Sequence, residues 1–169
     1  SGDALQANGR IYMVDSTVIG GGDTILSRGT LFCERCTIKS NSVLMWPRNP
    51  KEVHGNVFLD STFIGTREPT TFARSPQNEA FSYPYAEVVL LNTTLTNIAP
   101  EGWSTADKGG NVHFWEYNSR NADGSSVDVS KRVAWSRQLD KIKDAKVIAD
   151  YSRPEFVLAG WKPSLEVRL

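Results

Sequence analysis

Four stretches of the chain share one rhythm of apolar and polar positions. They are Ile11-Tyr12-Met13-Val14-Asp15-Ser16-Thr17-Val18, Leu31-Phe32-Cys33-Glu34-Arg35-Cys36-Thr37-Ile38, Asn56-Val57-Phe58-Leu59-Asp60-Ser61-Thr62-Phe63 and Val88-Val89-Leu90-Leu91-Asn92-Thr93-Thr94-Leu95. Each runs from an apolar stretch to a polar residue, a small residue, a polar residue and an apolar one. The small position is Ser16, Cys36, Ser61 and Thr93; Met13, Cys33, Phe58 and Leu90 stand three residues earlier. Val18, Ile38, Phe63 and Leu95 stand two residues later. Alternation with many Val, Ile, Thr and Phe reads as short strands.

Ser16 to Cys36 is 20 residues, Cys36 to Ser61 is 25, and Ser61 to Thr93 is 32. The shorter steps suit one coil of a solenoid, and the growth implies loops inserted into later coils. A two-sheet sandwich competes, but it needs hairpin turns, whereas long Gly- and Pro-containing stretches join these segments. The pattern therefore predicts an all-β parallel β-helix over residues 1–119. Residues 120–169 are predicted as a tail of the same domain, packed on the coils. That tail carries a short helix around Lys141 to Asp150, with Ile142, Ala145, Ile148 and Ala149 on one face.

Composition narrows the classes without choosing among them. With 169 residues, 40% hydrophobic and 22% charged, the chain has the make-up of one ordinary globular domain. Nineteen basic residues balance nineteen acidic ones, so no global field gathers nucleic acid or an anionic membrane, and neither is expected as a partner. No apolar run reaches membrane-spanning length. Ser1-Gly2-Asp3 reads as a cut within a longer protein. A β-helix cut before its first coils is expected to have that end covered by a missing N-terminal part or a second chain.

Several motifs, in order, then resemble the pectin methylesterases, which hydrolyse galacturonate methyl esters in pectin. Gly22-Asp23-Thr24-Ile25-Leu26 is similar to the family's Gln-Asp-Thr-Leu-Tyr, and Phe72-Ala73-Arg74-Ser75-Pro76 to its Leu-Gly-Arg-Pro-Trp. Ile98-Ala99-Pro100-Glu101-Gly102-Trp103 fits Ile-x-Pro-x-Gly-Trp; Glu116-Tyr117-Asn118 and Ser130-Lys131-Arg132-Val133-Ala134-Trp135 fit the family's tail. The resemblance covers nearly the whole chain but only about the C-terminal half of a family domain. It implies a right-handed parallel β-helix, a pectin-like acidic plant cell-wall polysaccharide as partner, no cofactor, and a secreted or periplasmic location.

In the family one aspartate attacks the ester carbonyl, and a second protonates methanol and then activates water. An arginine holds the nucleophile, and two glutamines stabilise the oxyanion. The resemblance puts Asp23 on the acid/base position and Arg74 on the arginine. It puts Val43 on the nucleophile, Gly22 and Ser1 on the glutamines, and Pro76 where a substrate-contacting Trp stands. A valine cannot attack, so the covalent route is expected to be impaired. Pairing with Arg74 would hold Asp23 ionised and spoil it as an acid, which favours binding a uronate, whose carboxylate suits the arginine fork.

Among other candidates, Trp46, Arg48, His54 and Trp103 offer flat faces, cations and an imidazole for a sugar acid; for Trp103, packing in the core or groove floor is the competing reading. Glu52 and His54 are the groups most readily recruited to new chemistry. Cys33 and Cys36 form a lone CxxC on inward positions; with only His54 and His113 to complete a set, a metal is not expected. Three readings stay open: a binding module, an esterase with a rearranged site using Asp23, and a purely structural solenoid.

Overall fold

The structure, a computed structural model, describes residues 2–106 and 111–165. The chain winds as a parallel β-helix with three sheet faces. The first coil is β1 (Leu5–Ala7), β2 (Arg10–Val14) and β3 (Thr17–Gly20); the second is β4 (Ile25–Ser27), β5 (Thr30–Glu34) and β6 (Thr37–Ser40). The third is β7 (Met45–Pro47), β8 (Asn56–Leu59) and β9 (Thr62–Gly65). The fourth keeps β10 (Glu87–Leu91) and β11 (Thr94–Thr96), and the fifth β12 (His113–Tyr117) and β13 (Arg120–Asn121); β14 (Arg137–Gln138) ends the second face. Every pairing between these strands is parallel, in the orders β1-β4-β7, β2-β5-β8-β10-β12-β14 and β3-β6-β9-β11-β13.

The registers reproduce the sequence rhythm. Thr17 lies beside Thr37, Thr37 beside Thr62, and Thr62 beside Thr94. Equivalent side chains therefore form files: Met13, Cys33, Phe58 and Leu90 run down the inside, as do Val18, Ile38, Phe63 and Leu95. Both cysteines are free and buried as small core residues, Cys33 in the first of these files and Cys36 in the file of small positions beside Ser61. Phe58, Phe63, Phe72, Trp103 and Phe114 continue the core as an aromatic chain with centroids 4.9 to 5.8 Å apart. Such contacts add about 0.5–1.5 kcal/mol each beyond the area they bury.

Between the second and third faces the chain turns on one left-handed residue per coil: Asp15, Arg35, Asp60, Asn92 and Asn118, with φ from 49° to 54°. Asp and Asn tolerate this region better than other non-glycine residues. Their side chains also stack: Asn118 Nδ2 donates to Asn92 Oδ1 at 2.8 Å, and Asn92 Nδ2 to Asp60 Oδ1 at 3.2 Å. Asn118 belongs to a fifth turn that the sequence pattern did not predict. Thr94 pairs with Arg120, and Ser119 extends the small file with its hydroxyl 3.1 Å from that of Thr93.

The fifth turn was hidden because Glu116 occupies the inward file, beside Leu90. The tail supplies the partner. Arg132 donates to both carboxylate oxygens, at 2.9 and 3.0 Å, and Gln138 adds a bond of 2.8 Å. Gly102, at φ +70°, makes room, since a Cβ there would meet Arg132 Cδ at 2.6 Å. The tail then lies on the outer side of the second face, where Leu139, Tyr151, Val157 and Leu158 cover Phe32, Val57, Val89 and Leu91.

Its helices are α1 (Ala145–Tyr151) and α2 (Pro154–Val157). The face of α1 differs from expectation. Ala145 and Ala149 are exposed, Ile142 precedes the helix and is 85% exposed, and Val147, Ile148 and Tyr151 make the contact. Tyr151 wins because its ring covers the apolar sheet while its hydroxyl reaches a buried carboxylate.

The first coil, β1 to β3, pairs on one side only among the described residues. No helix among them is long and apolar enough to cross a membrane.

Candidate functional site

The first face carries the site. Ile25, Met45 and Ala73 line up inward and are buried, so the next residues, Leu26, Trp46 and Arg74, form the adjacent outward file. Asp23 precedes β4 at φ 44°. Because left-handed turn residues recur in every coil, that conformation alone carries no functional weight.

Asp23 and Arg74, 51 residues apart, meet as the stacking of coils requires. Arg74 Nε donates to Asp23 Oδ1 at 2.8 Å and Nη2 to Oδ2 at 2.5 Å. The two side chains are 19% and 31% exposed, so the pair sits at the floor of an open face. The hydrogen bond to Asp23 pushes the Arg74 guanidinium higher still, and it stays charged at all working pH.

Trp46 is the second element. The Arg74 guanidinium lies 4.2 Å from the centre of its ring and that of Arg48 lies 4.7 Å from it. Phe81 and Tyr83 meet the indole edge-on at 5.5 and 6.1 Å. Arg48 differs from Arg74 in having no carboxylate partner among the described residues, and its Nε is buried without a hydrogen-bond acceptor. Asp23, Arg74 and Arg48 sum to one positive charge beside an aromatic face, with the Asp3 carboxylate also acting on Arg74.

Other expected positions are arranged less favourably. Trp103 has no exposed surface; its ring is packed between Phe72 and Phe114, so it is a core residue and not a groove wall. Gly22 offers no side-chain donor, and a Cβ there would meet Ser42 Cβ at 3.2 Å. Continuing the Ile25–Met45 register backwards sets Val43 beside Asp23. Ser1 lies outside the described residues. Glu52 and His54 lie round the corner from the pair, lining a separate cavity.

At that corner the sequence reading missed a cluster. Glu87, 5% exposed, accepts from His54 Nδ1 at 2.9 Å and Gly55 N at 3.1 Å on one oxygen. The other oxygen accepts from His113 Nδ1 at 2.8 Å and the Tyr151 hydroxyl at 2.7 Å. Burial pushes the carboxyl up, but the hydrogen bonds from His113, His54 and Tyr151 outweigh it and bring it down to about 2. The available signal was register: Glu87 and His113 open consecutive strands and lie side by side.

No family model matches the chain. It is 26% identical over 162 residues to the probable pectinesterase 8 of Arabidopsis thaliana, an alignment covering 83% of this chain and 38% of that protein. The pectin methylesterase from carrot superposes with a TM-score of 0.67 at 18% identity, over 98% of this chain and 60% of that one. The chain thus spans 38% of the first relative and 60% of the second. It is pectin methylesterase-like, and its coils form the right-handed parallel β-helix of that enzyme.

Proposed function

We propose that this chain binds de-esterified, acidic galacturonan on the face carrying Asp23, Arg74, Arg48 and Trp46, and that it does not run the family's covalent ester hydrolysis. The observation that carries this is Arg48, a guanidinium stacked on Trp46 with no carboxylate partner among the described residues. A uronate is a fitting partner: its carboxylate answers the cation and its ring covers the indole. Asp23 neutralises Arg74 and orients it against the same indole, so the ligand meets a preformed surface. On the side of catalysis, the position beside Asp23 holds Val43, which has no nucleophilic atom, and Gly22 brings no oxyanion donor. The relatives named above are pectinesterases, which supports pectin as the polymer and a site of action outside the cell.

The test pairs two measurements. Titration calorimetry with polygalacturonate is expected to show binding that survives Asp23→Ala and is lost in the Arg48→Ala, Arg74→Ala double variant. Methanol release from methylated polygalacturonate is expected to be absent. Release abolished by Asp23→Asn would overturn the proposal in favour of an active, rearranged esterase.

A further inference from the structure

The Glu87 cluster has more polar machinery than tail docking requires. One bond, from the Tyr151 hydroxyl, ties the tail to the buried carboxylate, and the same hydroxyl lies 3.2 Å from His54 Nδ1. His54 and His113 are 30% and 40% exposed, so they add little by burial. An ionised carboxylate only accepts, so each Nδ1 donates and carries the proton. Both imidazoles are thereby fixed in orientation, with Nε2 left as the open edge. His113 is further held flat on Trp115 at 4.1 Å, and His54 lies against Phe156 at 5.1 Å. A carboxylate on Nδ1 fixes an imidazole's tautomer and orientation and leaves Nε2 able to accept.

Both histidines line a cavity of about 300 Å³, with Lys51 and Tyr85 at its mouth. The cavity and the Trp46 face are neighbours across a shared wall. A second hollow, running from Arg48 past Tyr83 to Tyr85, shares Asn49, Lys51, Glu52 and Tyr85 with the cavity. Arg48 and Tyr83 both touch Trp46, beside Arg74 and Phe81. Lys51 also has no ion-pair partner among the described residues.

We propose that the galacturonan trench turns the corner of the β-helix, from Arg74 over Trp46 and Arg48 into a second sugar subsite built by Lys51, His54 and His113. The subsite takes a galacturonate residue of the same chain: Lys51 meets its carboxylate, and the imidazole edges accept from its ring hydroxyls. The inference rests on the reading of the Trp46 face as a galacturonan site.

Calorimetry with defined oligogalacturonates separates the two. The wild-type chain is expected to bind hexagalacturonate at least tenfold more tightly than digalacturonate. His113→Gln, which keeps a donor to Glu87, and Lys51→Ala, which leaves the buried cluster intact, are expected to remove that gain while leaving digalacturonate binding unchanged. Arg74→Ala is expected to weaken both. If affinity does not rise with length, or if the two corner variants leave the gain in place, the corner subsite is wrong while the Trp46 face stands. If neither oligomer binds, both readings fall.

Discussion

Glu116 and Arg132 meet as a two-pronged ion pair inside the closing turn of the cylinder, the carboxylate with no exposed surface and the guanidinium 5% exposed. Removing one partner leaves the other charged and buried. Arg132→Met is therefore expected to destabilise by about 3–5 kcal/mol. The double change Glu116→Leu, Arg132→Met restores the apolar file and is expected to recover most of that loss. Urea unfolding followed by tryptophan fluorescence measures both.

Glu87 makes stability acid-sensitive. Its carboxyl sits at about 2 in the folded chain against an ordinary 4.5, because donors from His113, His54 and Tyr151 prevail over burial. A folded value below the unfolded one stabilises fully above about 4.5 and is lost as pH falls from there towards 2. The contribution is on the order of 3 kcal/mol. Urea midpoints taken from neutral pH down to about 3 are expected to fall less steeply in Glu87→Gln than in the wild type. Some slope remains from Glu116, whose carboxyl burial raises but Arg132 lowers to a greater extent.

Trp46 and Trp103 part company in function. Trp46→Ala removes the ring that orients two guanidiniums, and polygalacturonate binding is expected to weaken about tenfold, or roughly 1.4 kcal/mol. Trp103→Leu is expected to lower the unfolding temperature and leave binding unchanged. A calorimetric titration beside a thermal melt distinguishes the two variants.

The corner turns tolerate only certain residues. At Asn92, φ 54°, glycine is expected to change stability by less than about 1 kcal/mol, offsetting the lost bonds to Asp60 and Asn118 with relief of the left-handed backbone. Valine there is expected to cost about 2–3 kcal/mol, since its branched side chain clashes in that region. Thermal melts of the two variants check the order.

The solenoid was legible because stacking repeats one instruction: Ser16, Cys36, Ser61 and Thr93 announce the coils, and their spacing equals the registers found. The fifth turn was not, because a buried Glu116 breaks the apolar code and is made tolerable only by Arg132 from the tail. The Asp23–Arg74 pair followed from motif and topology together. Trp103 stayed ambiguous because an aromatic residue after a glycine looks the same in sequence whether it faces the core or the groove. Glu87 escaped notice because a carboxylate heading a strand has no local pattern; its donors come from three other segments. The face of α1 was misread because apolar spacing outweighed Tyr151, whose hydroxyl finds a buried partner.

The first face keeps three strands while the other two run to six and five. The third coil adds residues between β7 and β8 and the fourth between β9 and β10, and these loops bring Arg48, Phe81 and Tyr83 against Trp46. Insertions there leave the files of Thr62 and Thr94 in register, and surface loops grow at little entropic expense. Such a molecule can change what it grips by lengthening a few connections, with the cylinder beneath left as a fixed spool.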